Sequence, residues 1–264
     1  MRCMDEVAGQ VAEQVVGQDY IAGRGAVAEA LKSGRAADTL FVAEGEAGGA
    51  LGACIAMAKA RGVVVKIAKR EKLTQLCGSG HHQGVVLLAA AHAYAELDDI
   101  FARAEEKGEP LFALLCDEIE DPHNLGALLR TAEAAGAHGV IVPRRRSAPL
   151  SQAVAKASAG AVEYIPVARV PNLCAAIDTL KARGVWVYGA HMEGALYYTT
   201  PLNGPIALVV GSEGRGLGRL VKEHCDALLS LPMRGRMTSL NASVAAGILM
   251  YEIARCRSQE AGRP

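Results

Sequence analysis

Aromatic residues make up only 4% of the 264-residue chain, with a single tryptophan and three phenylalanines. That scarcity argues against base-stacking platforms as a major theme, because these rest on rows of aromatic rings. Net charge is also missing: 28 Lys and Arg balance 28 Asp and Glu. A general nucleic-acid coat needs strong overall basicity, so any grip on a polyanion must come from a local patch. The seven cysteines, at 3, 54, 77, 116, 174, 225 and 256, form no CxxC pair. Their odd number and scatter point to reduced thiols in a cytoplasmic protein and to no metal site. No run of 18 apolar residues could cross a membrane, and the start MRCMDEVAGQ has no apolar core of a signal peptide. What the chain does have is a 51% hydrophobic content, enough for one large or two small domains.

Its most informative stretch is 205–247. Ile206 to Val210 is an apolar run, read as a buried strand of a parallel sheet. Gly211-Ser212-Glu213-Gly214-Arg215-Gly216 follows, where glycines let a backbone approach a ligand at a strand's carboxyl end. A second strand, Ala227 to Leu231, ends at Pro232-Met233, and Ser239-Leu240-Asn241-Ala242-Ser243 opens a long helix to about Arg255. The glycine loop is not a phosphate loop of the Walker type. Leu217 and Gly218 stand where Lys and Ser or Thr are required.

GSEGRGL, LPMRG and SLNASVA resemble motifs 2 and 3 of the SpoU family of RNA ribose 2′-O-methyltransferases. The first motif of that family is matched by Asn124-Leu125-Gly126-Ala127-Leu128-Leu129-Arg130-Thr131-Ala132. One departure is Ala242, where the family usually has Val, a small apolar change.

Upstream, the pattern alternates as in an α/β domain. A helix is expected over 25–33, strands at 39–43, 62–67 and 85–90, and helices at 49–61 and 70–77. Residues 1–15 read as a loose or helical leader. Gly23-Arg24-Gly25-Ala26-Val27-Ala28 fits Gly-x-Gly-x-x-Ala, with Glu44 at the distance of a ribose contact. A dinucleotide fold is thus an alternative, weakened by Gln18 and Asp19 where a buried strand should precede the turn. His81 and His82 are adjacent, so they point apart on an extended chain and suit a loop better than a metal. GRGAVAEAL together with HQGVV resembles the substrate-binding domain of 23S rRNA guanosine-2′-O-methyltransferases of the RlmB type, a domain like ribosomal protein L30e.

Residues 93–109 read as a charged linker with one helical piece, between a domain of 1–92 and a catalytic domain of 110–264. In the latter, strands are expected at 112–116, 139–142, 163–167 and 185–189, and helices at 125–135, 150–158 and 172–183. Asn124 is expected to cap the first of these helices. Arg130, midway along it, is costly to bury unless paired, and the acidic run 117–121 offers partners. Arg144-Arg145-Arg146, just past a strand, is either a solvated loop or a contact for RNA phosphates.

The resemblance implies a parallel-sheet α/β fold of the SPOUT type with a C-terminal trefoil knot, and a homodimer with active sites near the interface. It implies S-adenosylmethionine as methyl donor, held at Gly211, Leu231 and Leu240. Arg130 is implied as the catalytic residue, with Asn124, Glu213, Ser239 and Asn241 orienting it, the ribose and the loops. A guanidinium is a poor base at neutral pH, so Arg130 is expected to act as a fixed cation. The implied substrate is 23S rRNA or its assembly intermediate, with a tRNA ribose as the runner-up. A non-catalytic RNA-binding protein on the same scaffold is the reading from another class.

Overall fold

A computed structural model describes residues 20–46, 48–90 and 92–260. The leader expected over 1–15 and residues 261–264 lie outside this range. The chain divides into two compact units, one up to Ala93 with residues 149–152, the other from Tyr94 onward.

The first unit runs β1 (Tyr20–Ala22), α1 (Arg24–Lys32), β2 (Ala37–Ala43), α2 (Gly49–Ala60), β3 (Val64–Ala68), α3 (Arg70–Cys77) and β4 (Val85–Ala89). Its sheet has the order β1-β4-β2-β3. On one side Val27 and Leu31 of α1 and Leu51 and Cys54 of α2 pack on Leu40, Val42, Val85 and Leu87. On the other, Leu73 of α3 packs on Ala43 and Val86. β1 pairs antiparallel with β4. β4 runs antiparallel between β1 and β2, so the Gly23–Ala28 turn does not link two adjacent parallel strands, which a dinucleotide fold requires. His82 is buried, its Nδ1 accepting from Gly84 N at 3.1 Å and its Nε2 lying 3.3 Å from Thr74 Oγ1. These are the bonds of a loop that enters a strand.

The second unit opens with α4 (Leu97–Lys107), within the segment read as a linker. Ile100 and Ala104 of this helix are buried in the unit's main core, so from Tyr94 the segment belongs to the second unit. There follow β5 (Phe112–Cys116), α5 (Pro122–Ala134), β6 (Gly139–Pro143), α6 (Gln152–Ala157), β7 (Val167–Val170), α7 (Leu173–Ala182), β8 (Trp186–Leu196), β9 (Ile206–Val210), α8 (Arg219–His224), β10 (Ala227–Ser230) and α9 (Ala242–Glu260). The sheet order is β10-β8-β9-β5-β6-β7, with every pair parallel. β5 and β9 lie side by side at its centre with all five residues of each buried, which is why both read as continuous apolar runs. Truncating one of their leucines to Ala should cost about 2–5 kcal/mol.

Two details depart from the expected elements. β7 begins at Val167 because Ala161–Glu163 form a 3₁₀ turn ahead of Pro166. Strand β8 continues to Leu196, but its pairing with β10 jumps from Gly189 to Ala195, leaving 190–194 as a large bulge. Among the described residues no helix is long and apolar enough to cross a membrane.

Candidate active site

Open α/β sheets bind ligands beyond the carboxyl ends of their strands. Here the ends of β5 and β9 carry the acidic loop 117–121 and the glycine loop 211–218. The glycine loop folds tightly on itself. Gly216 N donates to Ser212 O at 2.9 Å, and a Cβ at Gly211 would come 2.1 Å from the carbonyl carbon of Gly216. Gly214 and Gly216 take φ of 90° and 66°, which favour glycine. The loop's far end is pinned twice. Leu217 is buried in the core, and Gly218 N donates to Asp117 Oδ2 at 2.7 Å. Asp117 is 6% exposed, and burial raises its carboxyl above the usual carboxylate range, the Gly218 bond opposing that rise.

Asp121, rather than Asn124, caps α5, its Oδ1 accepting from His123 N at 3.0 Å with Pro122 in the first helical turn. That leaves the Asn124 side chain for another task. Asn241 Nδ2 donates to Asn124 Oδ1 at 2.9 Å and to Glu213 Oε2 at 3.1 Å, and Asn124 Nδ2 lies 3.4 Å from the same Glu213 oxygen. Asn241 Oδ1 in turn accepts from Ser243 N and Oγ and Val244 N, so Asn241 caps α9. One side chain from each of the three motifs meets in this closed triangle. Gly126 sets the approach of α5 to the end of α6, since a Cβ there would stand 2.4 Å from Ala157 Cβ.

Two cavities adjoin the triangle. The first, of about 350 Å³, is walled by the glycine loop, Leu229, Leu231, Leu249 and Leu240, with Ser239, Glu213 and Met233. Gly211, Leu231 and Leu240 thus line one space, although they come from three separate segments. Its size falls within the range of about 300–1,000 Å³ of small-ligand sites. Apolar walls and exposed glycine backbone suit the adenosine and sulfonium of S-adenosylmethionine, so the residues fit that donor. The second cavity, of about 370 Å³, is lined by Glu118, Ile119, Glu120, Asp121 and Asn124, and shares Ser212, Glu213 and Arg215 with the first.

Other expected site residues lie apart. Arg130 is exposed on α5 and lines neither cavity, and no described residue accepts a hydrogen bond from its guanidinium. Of the three arginines after β6, Arg145 is exposed, Arg144 N donates to Val170 O, and Arg146 is tied to Glu118. Three residues in or beside the cavities escaped the sequence reading. Asp117 lay within an acidic run with nothing to single it out. His191, in the bulge of β8, lines the first cavity, its Nδ1 accepting from Glu193 N at 3.2 Å. Arg215 borders both cavities.

Residues 111–251 match the SpoU rRNA Methylase family, and residues 20–95 match the family described as RNA 2'-O ribose methyltransferase substrate binding. The Bacillus subtilis protein YacO, named as of the TrmH family of tRNA/rRNA methyltransferases, is 52% identical over 241 residues, covering 91% of this chain and 96% of its own. An AdoMet-bound rRNA methyltransferase from Sinorhizobium meliloti is similar in structure with a TM-score of 0.56 and 30% identity, over 90% of this chain and 87% of its own. A structure concerned with 2-OH methylation of C/U34 on tRNA is similar with a TM-score of 0.52 and 28% identity, over 58% of this chain and 99% of its own. The chain therefore belongs to the SpoU rRNA methylase family of S-adenosylmethionine-dependent RNA methyltransferases.

Proposed function

We propose that the protein methylates the ribose 2′-hydroxyl of a guanosine in 23S rRNA or its assembly intermediate. The observation that carries this reading is the pair of adjoining cavities. One suits the donor, and the other, polar and next to Asn124, suits the acceptor ribose, with Ser212, Glu213 and Arg215 on their common border. The rRNA side is favoured because the chain matches the rRNA enzyme over 90% of its length, whereas the tRNA structure covers 58%. Residues 20–95, matched as a substrate-binding domain, support RNA selection by an L30e-like first domain within 1–92, apart from a catalytic unit that takes in α4 and begins at about Tyr94.

When bound, S-adenosylmethionine supplies a methyl group on a cationic sulfur. Gly211, Leu231 and Leu240 would hold the donor with backbone and apolar contacts, with the Glu213 carboxylate in the same wall. Asn124, Asn241 and Glu213 fix each other, and Ser239 joins them at the donor wall, so the acceptor hydroxyl meets a rigid frame. Alignment of this kind supplies a large part of the acceleration. Arg130 stabilises the oxygen as its proton passes to solvent water, and holds a neighbouring phosphate. Because Arg130 borders neither cavity of its own subunit, it serves the site of a partner in a homodimer. Exposed apolar residues Val244, Ile248 and Tyr251, beside Ala127 and Thr131 of α5, support an interface next to it. Arg144, Arg145 and Arg146 contact RNA phosphate, with Glu118 competing for Arg146. The sheet order, with β8 between β10 and β9, is compatible with a C-terminal trefoil knot.

Ribose-methylation mapping of 23S rRNA and tRNA from a deletion strain tests the assignment. Loss of one 2′-O-methylguanosine from 23S rRNA is expected. Loss of a tRNA mark with rRNA unchanged would replace this reading by the tRNA one.

A further inference from the structure

The zero net charge of the chain conceals an asymmetry between its two units. Residues 20–93 carry nine Lys or Arg against five Asp or Glu, a net charge of +4, while residues 94–264 carry eighteen against nineteen, a net −1. The acids of the first unit are mostly engaged. Glu46 is clamped between Arg24 and Arg70, Glu29 pairs with Lys32, and Asp38 is buried. Glu44 and Glu71 stay exposed, but exposed cations outnumber them at the two ends of β3, those of α2 on one side of the sheet and Lys66 with those of α3 on the other. Lys59 and Arg61 stand at the end of α2, Lys66 on β3, and Lys69 and Lys72 at the start of α3, all exposed.

β3 is an edge strand of its sheet. Lys66 stands beside Phe41 in the parallel pairing, so it shares the side on which Phe41 and Ala68 meet α3. Lys69 and Lys72 continue that side into the helix. At about 3.3 Å per residue, Lys66 and Lys69 are spaced by about 10 Å along the chain. No carboxylate among the described residues pairs with Lys66, Lys69 or Lys72. Among the described residues the Arg61 guanidinium bonds only to the carbonyls of Leu31 and Arg35, which carry no charge to offset its own. Glu71 is the one acid within this run.

Lysine on an edge strand also blocks unwanted strand pairing. That explains Lys66, but not Lys59, Arg61, Lys69 and Lys72, which lie off the strand. We propose that edge strand β3, with Arg61 before it and Lys69 and Lys72 after it, is a face on which RNA phosphates dock. The proposal rests on the reading of the protein as an RNA methyltransferase, and it gives the first unit a specific contact surface. Lysine–phosphate contacts carry no sequence information, so this face supplies affinity and register while base choice falls elsewhere.

The test uses the full chain with Lys66→Gln, Lys69→Gln and Lys72→Gln together. These side chains are exposed, so the fold and S-adenosylmethionine affinity should stay at wild-type values. Binding of a 23S rRNA transcript and of total tRNA is titrated across salt concentrations. At about 0.15 M salt the triple variant should bind the preferred RNA about tenfold more weakly, with a log–log salt slope smaller by about 2–3. An unchanged affinity and slope would overturn the proposal, as would a wild-type protein that binds neither RNA. If the variant then also self-associates in sedimentation, the lysines are guards of the strand edge. Wild-type binding that responds to the lysines but yields no methylated RNA would count against the proposed function and leave the docking face standing.

Discussion

A single carboxylate, Asp117, ties the centre of the sheet to the glycine loop. Its backbone N donates to Val210 O at 2.8 Å, and its side chain accepts from Gly218 N, so it holds both ends of the segment that walls the first cavity. Burial raises its pKa, which means the ionised form is the less comfortable one in the fold. A folded-state pKa above the unfolded one makes this group cost stability at neutral pH, a cost relieved as pH falls through the folded value. Two substitutions should therefore part company. Asp117→Asn keeps an oxygen for Gly218 N and removes the buried charge, so its melting temperature at pH 7 should equal or exceed the wild-type one. Asp117→Ala leaves the Gly218 N–H without its acceptor, at about 1–3 kcal/mol. It should also weaken S-adenosylmethionine binding in calorimetry, because the loop end is released. Equal donor affinity in the Ala variant would show that Leu217 alone is enough to fix the loop.

At the scale of elements, His138 joins β6 to β5. Its N donates to Phe112 O at 2.7 Å, its Nδ1 accepts from Phe112 N at 2.9 Å, and its Nε2 lies 3.2 Å from Glu109 Oε2. The ring is fully buried, and burial, then the charges of Arg257 and Lys107, lower its pKa from 6.5 to about 4, against the pull of Glu109. The unfolded chain thus takes up this proton first as pH falls, so stability should drop between pH 6.5 and about 4. Denaturant titrations over that window should show a shallower decline in His138→Gln, and an unchanged decline would assign it to other groups. The elements themselves were unevenly legible in the sequence. β5 and β9 announced themselves because strands buried on both faces must be apolar throughout. β1 did not, being three half-buried residues at an edge, and the extension of β8 did not, because residues 190–194 leave the ladder and follow no period of two. The cap of α5 was misassigned to Asn124 because Asp121 and Asn124 are both good caps. Only the fold shows that Asn124 is engaged with Asn241 and Glu213. That Gly211, Leu231 and Leu240 belong together was legible through the resemblance alone, since no spacing in the sequence tells that these three line one cavity.

At the scale of the whole molecule, the role proposed for Arg130 has to be squared with its position, exposed and lining neither cavity. If it acts as a cation that aids removal of the hydroxyl proton, Arg130→Ala should lose about 10²–10⁴-fold in rate while donor affinity is kept. Arg130→Lys should recover little, since it keeps the charge without the planar fork. Service to a partner site makes a sharper claim, which mixed dimers can decide. Gly211→Val should abolish donor binding, because its Cβ has no room against Gly216. Each homodimer, of Arg130→Ala or of Gly211→Val, is then inactive. In a heterodimer the Arg130→Ala subunit retains an intact donor cavity and can receive Arg130 from its Gly211→Val partner, which restores one site of the two. Equal mixing, with half of all dimers hybrid, should return about a quarter of wild-type activity on RNA if the assembly is a symmetric dimer. If Arg130 instead serves its own subunit, no site in the hybrid holds both an arginine and a donor, and activity stays at the level of the separate variants. Subunit exchange followed by transfer of radiolabelled methyl to RNA distinguishes the two outcomes. A lack of any gain in hybrids shown by mass spectrometry to have formed would return Arg130 to its own subunit.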